Sequence, residues 1–103
     1  MTSHLVQILL PLSDNAGIPF PDDVLHDIQA ELTEKFGGVT AHSRAPAKGV
    51  WRHRGRQQTD DIAVVEVMTG GLDVDWWRRF RERLETLLRQ ETVVIRAQEI
   101  RSL

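Results

Sequence analysis

The chain has 103 residues, 41% hydrophobic and 27% charged, which predicts one globular domain over 1–103 and argues against a disordered chain or two separate cores. Its formal net charge of −2 supplies no overall pull toward nucleic acid or acidic lipid. With no cysteine, disulfides, thiolate catalysis and cysteine-bound zinc are excluded, and a reducing compartment suits the composition.

The first strand is expected over His4 to Leu10, where apolar residues dominate until Pro11 stops the run. That run is far short of the roughly 20 residues a membrane-spanning helix needs. It also lacks a basic leader and a small-residue cleavage site, so a cytoplasmic protein without a secretory signal is the expectation. A turn-rich stretch follows, Ser13-Asp14-Asn15-Ala16-Gly17 and then Ile18-Pro19-Phe20-Pro21, whose prolines resist regular hydrogen bonding.

The first helix is predicted from Asp22 to Phe36. Leu25, Ile28, Leu32 and Phe36 recur at three- and four-residue spacing, Asp22 and Asp23 suit the positive helix end, and Gly37-Gly38 supplies a stop. A second strand begins at Val39, and a third, Ile62 to Met68, has the strongest β propensity of the chain. After Thr69-Gly70-Gly71, Asp73 is a good N-cap for a second helix from Val74 to Gln90. Trp77, Phe80, Leu84, Leu87 and Leu88 form its apolar side, and Arg78–Glu82, Arg81–Glu85 and Glu85–Arg89 stand at four-residue spacing outside. A last strand runs from Thr92 to Gln98.

The order βαββαβ predicts an α+β ferredoxin-like sandwich, a four-stranded antiparallel sheet with two helices on one face. Alternation puts Val6, Ile8, Leu10, Val39, Ala41, Ala63, Val65, Val67, Val93, Ile95 and Ala97 under the helices. The other face carries Leu5, Gln7, Leu9, Thr40, His42, Val64, Glu66, Met68, Val94, Arg96 and Gln98, a mixture too apolar to stay wet in a monomer. A second copy is therefore expected to cover it, as a homodimer or higher oligomer.

With strand order four-one-three-two, Arg96, Gln7, Glu66 and His42 come from successive strands and form one row. His42 and Glu66 could work as an acid–base pair with Arg96 holding an anion, or the row could simply satisfy its own hydrogen bonds at a subunit interface. A second candidate is the connection between strands two and three. From Arg44 to Arg56 it holds Arg44, Lys48, Arg52, Arg54 and Arg56 with His53 and Trp51, and no acidic residue occurs between Glu34 and Asp60. Such a basic hairpin could bind a small anionic ligand or an acidic partner, with Trp51 stacking on a planar group, or be a solvated loop.

Other functions find no support. The four histidines lack metal-ligand spacing, no serine has a nucleophile-elbow setting, and no phosphate-loop or cofactor motif is present, so neither metal nor cofactor is expected. RNA recognition by this fold stacks bases on aromatics of strands one and three, and those strands here contain none.

The segments Phe36-Gly37-Gly38-Val39-Thr40, Gly49-Val50-Trp51 and Arg89-Gln90-Glu91-Thr92-Val93-Val94-Ile95 resemble those of a group of short bacterial proteins of this fold. More broadly the chain resembles the dimeric α+β barrel superfamily, which implies the option of a small cofactor-free monooxygenase or isomerase acting on an organic acid. By shape it also resembles the trimeric PII-like and divalent-cation-tolerance type, whose long hairpin between strands two and three matches Arg44 to Asp60. Neither resemblance carries a catalytic or nucleotide-binding motif onto these residues.

Overall fold

A computed structural model describes residues 2–41, 47–53 and 56–103, with the backbone alone for residue 2 and for 47–53 and 56–60. The elements run β1 (Thr2–Pro11), α1 (Asp22–Phe36), β2 (Thr40–Ala41), β3 (Ala47–His53), β4 (Arg56–Thr69), α2 (Val74–Leu87) and β5 (Val94–Arg101). All strand pairings are antiparallel, in the order β2-β4-β1-β5, with β3 also paired to β4. Thr40 lies opposite Glu66 and Ala47 opposite Ile62, so β2 and β3 occupy successive lengths of one edge of β4. The ferredoxin-like α+β arrangement is therefore the one expected. Among the described residues no helix is long and apolar enough to cross a membrane.

The hydrophobic core lies between the sheet and its two helices. Val6, Ile8 and Leu10 of β1 and Ala63, Val65 and Val67 of β4 are all buried, as the two-residue alternation requires. Ile28 and Leu32 of α1 close one side, and Trp77, Phe80, Leu84 and Leu88 close the other. Val39, Ala41 and Ile95 pack against this cluster only partly buried, because they lie toward the sheet edges. Ala97 is exposed, although its position in the alternation points it under α2.

Aromatic contacts join the helices at one end of the core. Phe36 at the end of α1 stacks on Trp77 at 5.2 Å, and Trp76 stacks on Phe80 at 5.0 Å. Lys35 sits 4.6 Å above the Trp76 ring, a cation–π contact. Trp76 thus roofs the core rather than standing free, which settles its role as packing.

The helix ends follow local chemistry. The Asp73 side chain accepts from the Trp76 backbone N–H at 3.1 Å, the N-cap its position predicts. Gly37 takes the left-handed conformation at φ 82°, and its N–H reaches the Thr33 carbonyl, ending α1. The second helix stops at Leu87, three residues before the predicted Gln90. Its end is a Schellman turn: the Gln90 N–H bonds the Glu85 carbonyl at 2.9 Å and the Arg89 N–H bonds Thr86 at 3.3 Å. Arg89 fills the left-handed position at φ 53°, where glycine is the usual residue.

That turn corrects two expectations. Leu88 enters the core as expected, but Leu87, expected beside it, remains 55% exposed. The Glu85–Arg89 pairing loses its helical spacing, and Arg89 instead lends its carbonyl to Asn15 Nδ2. Arg78 likewise lies 3.9 Å from Asp75, one turn toward the N-terminus, in place of the expected Glu82. The proline-rich stretch after β1 is more ordered than its composition implies. Asp14 Oδ1 accepts from the N–H groups of Ala16 and Ile18, and Ser13 bridges to Pro19.

The two helix ends give opposite predictions. Gly37→Ala adds a Cβ that meets nothing within 4 Å, so its cost is torsional alone and is expected near 1 kcal/mol. Arg89→Gly relieves the same strain and should raise stability by about 0.5 kcal/mol after the greater freedom of the unfolded glycine is offset. Urea unfolding of both variants checks the signs.

Candidate functional site

The sheet face opposite the helices is built in cross-strand rows by the β1 register. Gln7 stands between Glu66 of β4 and Arg96 of β5. On one side of this row Leu5 stands between Met68 and Gln98; on the other, Leu9 stands between Val64 and Val94. A polar row is therefore flanked by two rows that are mostly apolar.

The polar row is joined by hydrogen bonds. Arg96 Nε donates to Gln7 Oε1 at 2.8 Å, and Gln7 Nε2 donates to Glu66 Oε2 at 2.9 Å. The amide thus links a guanidinium to a carboxylate, offering its acceptor to the cation and its donor to the anion. Both bonds are charge-assisted, which makes them stronger than neutral ones. Gln7 and Glu66 are half-buried and Arg96 is exposed, so the row runs from the sheet interior to its β5 edge.

The apolar members divide in the same way. Leu5, Leu9 and Val64 are half-buried by their neighbours, while Met68 is 62% exposed and Val94 45%. Nothing in the described residues covers this face from outside, since both helices pack on the other side.

Of the residues picked from the sequence, the structure brings together Gln7, Glu66 and Arg96. The β2 register puts Thr40 across from Glu66. His42, Arg44 and Arg54 lie outside the described residues. Lys48, Trp51, Arg52 and Arg56 belong to the β3–β4 hairpin, where Lys48 stands opposite Asp61, Trp51 opposite Gln58, Arg52 opposite Gln57 and His53 opposite Arg56.

A feature that periodicity missed lies on the helix side, at the outer edge of the sheet. Between α2 and β5 is a cleft of about 200 Å³ lined by Val6, Leu72, Trp77, Arg78, Arg81 and Ile95, among others. The signal available was Arg78 and Arg81 at three-residue spacing, which reads as an ordinary solvated helix face until β5 is known to be the edge strand beside it.

No protein-family profile matches the chain, and no curated protein sequence does. Solved structures of the same fold do. One is a divalent cation tolerance protein (CutA1) from Thermus thermophilus, at TM-score 0.65 and 18% identity over 98% of this chain and 86% of that one. Another is a phage SAM lyase in complex with S-methyl-5'-thioadenosine, at TM-score 0.66 and 15% identity, covering 94% of this chain and 81% of the other. The phage SAM lyase in its apo state matches at TM-score 0.57 and 19% identity over 95% and 79% of the two chains. At these identities the likeness is one of fold.

If the row holds the sheet face together, Gln7→Leu should cost about 1 kcal/mol, because it strips a partner from both Arg96 and Glu66. Chemical unfolding that gives the wild-type midpoint for this variant would show the row to be energetically idle.

Proposed function

We propose that the chain is a self-associating ferredoxin-like module, with a second copy covering the helix-free sheet face and the basic β3–β4 hairpin receiving a small anionic ligand or an acidic partner. The observation that carries the first part is the layout of that face. Leu5, Leu9, Val64, Met68 and Val94 lie in two rows beside a polar row that already satisfies part of its own hydrogen bonding. Apolar rows supply the burial that favours association, and a bonded Arg96–Gln7–Glu66 row can enter an interface with less desolvation cost than three separate groups.

The hairpin argument rests on composition and register. A cationic segment whose backbone is paired as a two-stranded ribbon suits recognition of a phosphate or carboxylate. That a neighbour of this fold holds S-methyl-5'-thioadenosine supports a small-ligand role and brings adenine nucleosides into the set of compounds to try.

The competing reading is a small barrel enzyme with His42 and Glu66 as acid and base and Arg96 or Arg44 holding a substrate carboxylate. Glu66 Oε2 already accepts from Gln7 Nε2, the mutual hydrogen bonding that a packed row of polar groups shows.

In sedimentation velocity at micromolar concentration the wild type should run as a dimer or larger. The pair Met68→Glu and Val94→Glu should run as a monomer with unchanged circular dichroism. A wild type that sediments as a single 11.8 kDa chain overturns the self-association reading. In thermal-shift screening with phosphate, nucleotides, organic acids and adenine nucleosides, at least one compound should stabilise the protein, and Arg52→Gln, Arg54→Gln and Arg56→Gln together should abolish the shift. If no compound stabilises the wild type, or the triple variant responds equally, the hairpin is not the binding element.

A further inference from the structure

The geometry points to a second binding site, in the cleft between α2 and the edge strand β5, for a small carboxylic acid with an apolar body. The cleft lies on the helix side of the sheet, away from both the open face and the β3–β4 hairpin. Its lining is of two kinds. Val6, Leu72, Trp77 and Ile95 give an apolar lining, while Arg78 and Arg81, one turn apart on α2, bring guanidinium groups to it. A third arginine, Arg96, contributes to the wall, but its Nε is committed to Gln7 on the opposite face.

The two helix arginines are incompletely satisfied within the chain. Arg81 Nε is shut off from solvent and has no hydrogen-bond partner among the described residues. The carboxylate beside it, Glu85, keeps its Oε2 at 3.8 Å, beyond hydrogen-bond reach, and gives that oxygen to the Val93 N–H at 2.9 Å. Among the described residues Arg78 pairs with Asp75 alone, at 3.9 Å and with both side chains well exposed. The rest of each side chain faces solvent, at 59% for Arg78 and 42% for Arg81, so both guanidinium heads can be reached from the cleft. A carboxylate at its mouth would meet those outward N–H groups, and guanidinium forks suit its two oxygens.

Size and shape select the rest of the ligand. About 200 Å³ is smaller than the pockets that hold drug-sized molecules, so the body is one ring or one branched alkyl group. Trp77 and Val6 are buried and form a firm floor, while half-buried Leu72 and Ile95 present the apolar surface that would meet the ligand's body and disfavour a polar one. Because β5 pairs with β1 alone among the described strands, its outer edge remains open beside the cleft and leaves the entrance unobstructed. The ligand class is therefore an aryl- or branched-alkyl-substituted monocarboxylate, held by charge at one end and by burial at the other.

Amide-detected NMR titration of the full chain with phenylacetate and with isovalerate tests this, with phenylacetamide and acetate as controls. Shift changes should saturate and centre on residues 72, 77, 78, 81 and 95–97. Phenylacetamide, which lacks the charge, and acetate, which lacks the body, should each bind at least about tenfold more weakly. Arg81→Gln should weaken phenylacetate by about tenfold, and Ala97→Leu, which adds bulk to the cleft's own lining, should abolish the response. Replacing Arg52, Arg54 and Arg56 should leave it unchanged, which separates this site from the hairpin. Equal binding of phenylacetate and phenylacetamide, a response insensitive to Ala97→Leu, or shifts centred elsewhere would each overturn the proposal, as would the absence of saturation.

Discussion

The pairing of β1 with β4 on one side and β5 on the other is the constraint from which the rest of the molecule follows. It puts Val6 beside Val67, Ile8 beside Val65 and Leu10 beside Ala63, so the helix-facing side is wholly apolar. The same pairing aligns Arg96, Gln7 and Glu66 on the reverse side. A slip of β1 by one residue would turn that strand over, driving Gln7 into the core and Val6, Ile8 and Leu10 out of it. The polar row therefore acts as a register mark: its bonds at 2.8 and 2.9 Å form only when the strands are correctly aligned.

Above this sheet the helices are held chiefly by burial and aromatic packing. Phe36, Trp76, Trp77 and Phe80 interlock at the α1–α2 contact with centroid distances of 4.8 to 5.7 Å. The inter-helix ion pair of Arg83 with Glu31 is short, at 2.7 Å, but both side chains are largely exposed, so it adds little beside the aromatic contact. Surface charge mainly keeps the helices soluble. Where it becomes interesting is at Arg81, whose partner carboxylate is drawn away by the backbone of the turn before β5.

That diversion links the helix terminus to the α2–β5 cleft. The Schellman turn at Arg89 reverses the chain, Leu88 plugs the core, and Glu85 caps the Val93 N–H. One consequence is a tight return into β5; another is an arginine left without a hydrogen bond at its Nε beside an apolar hollow. The strained φ of Arg89 is tolerated because the turn satisfies the carbonyls that would otherwise end α2 unpaired.

Much of the architecture is written in local patterns. The α1 boundaries and the Asp73 cap follow from capping chemistry, while the helix-facing strand positions other than Ala97 and the meeting of Gln7, Glu66 and Arg96 follow from the two-residue alternation, because alternation and topology together fix which residues share a row. The end of α2 did not follow, since Glu85–Arg89 and Leu87 fit a longer helix equally well until the return into β5 was known. The position across from Glu66 was equally open, because a shift of two residues in β2 keeps the same face and puts Thr40 where His42 was expected. The amino-acid order alone thus determined the element sequence, the core face and the composition of the open face, all of which depend on near neighbours. Only the tertiary structure decided which strand became an edge, where α2 must stop, and that Arg78 and Arg81 share a hollow with Val6 and Ile95. Those depend on groups distant in sequence being brought together, and no local period records that distance.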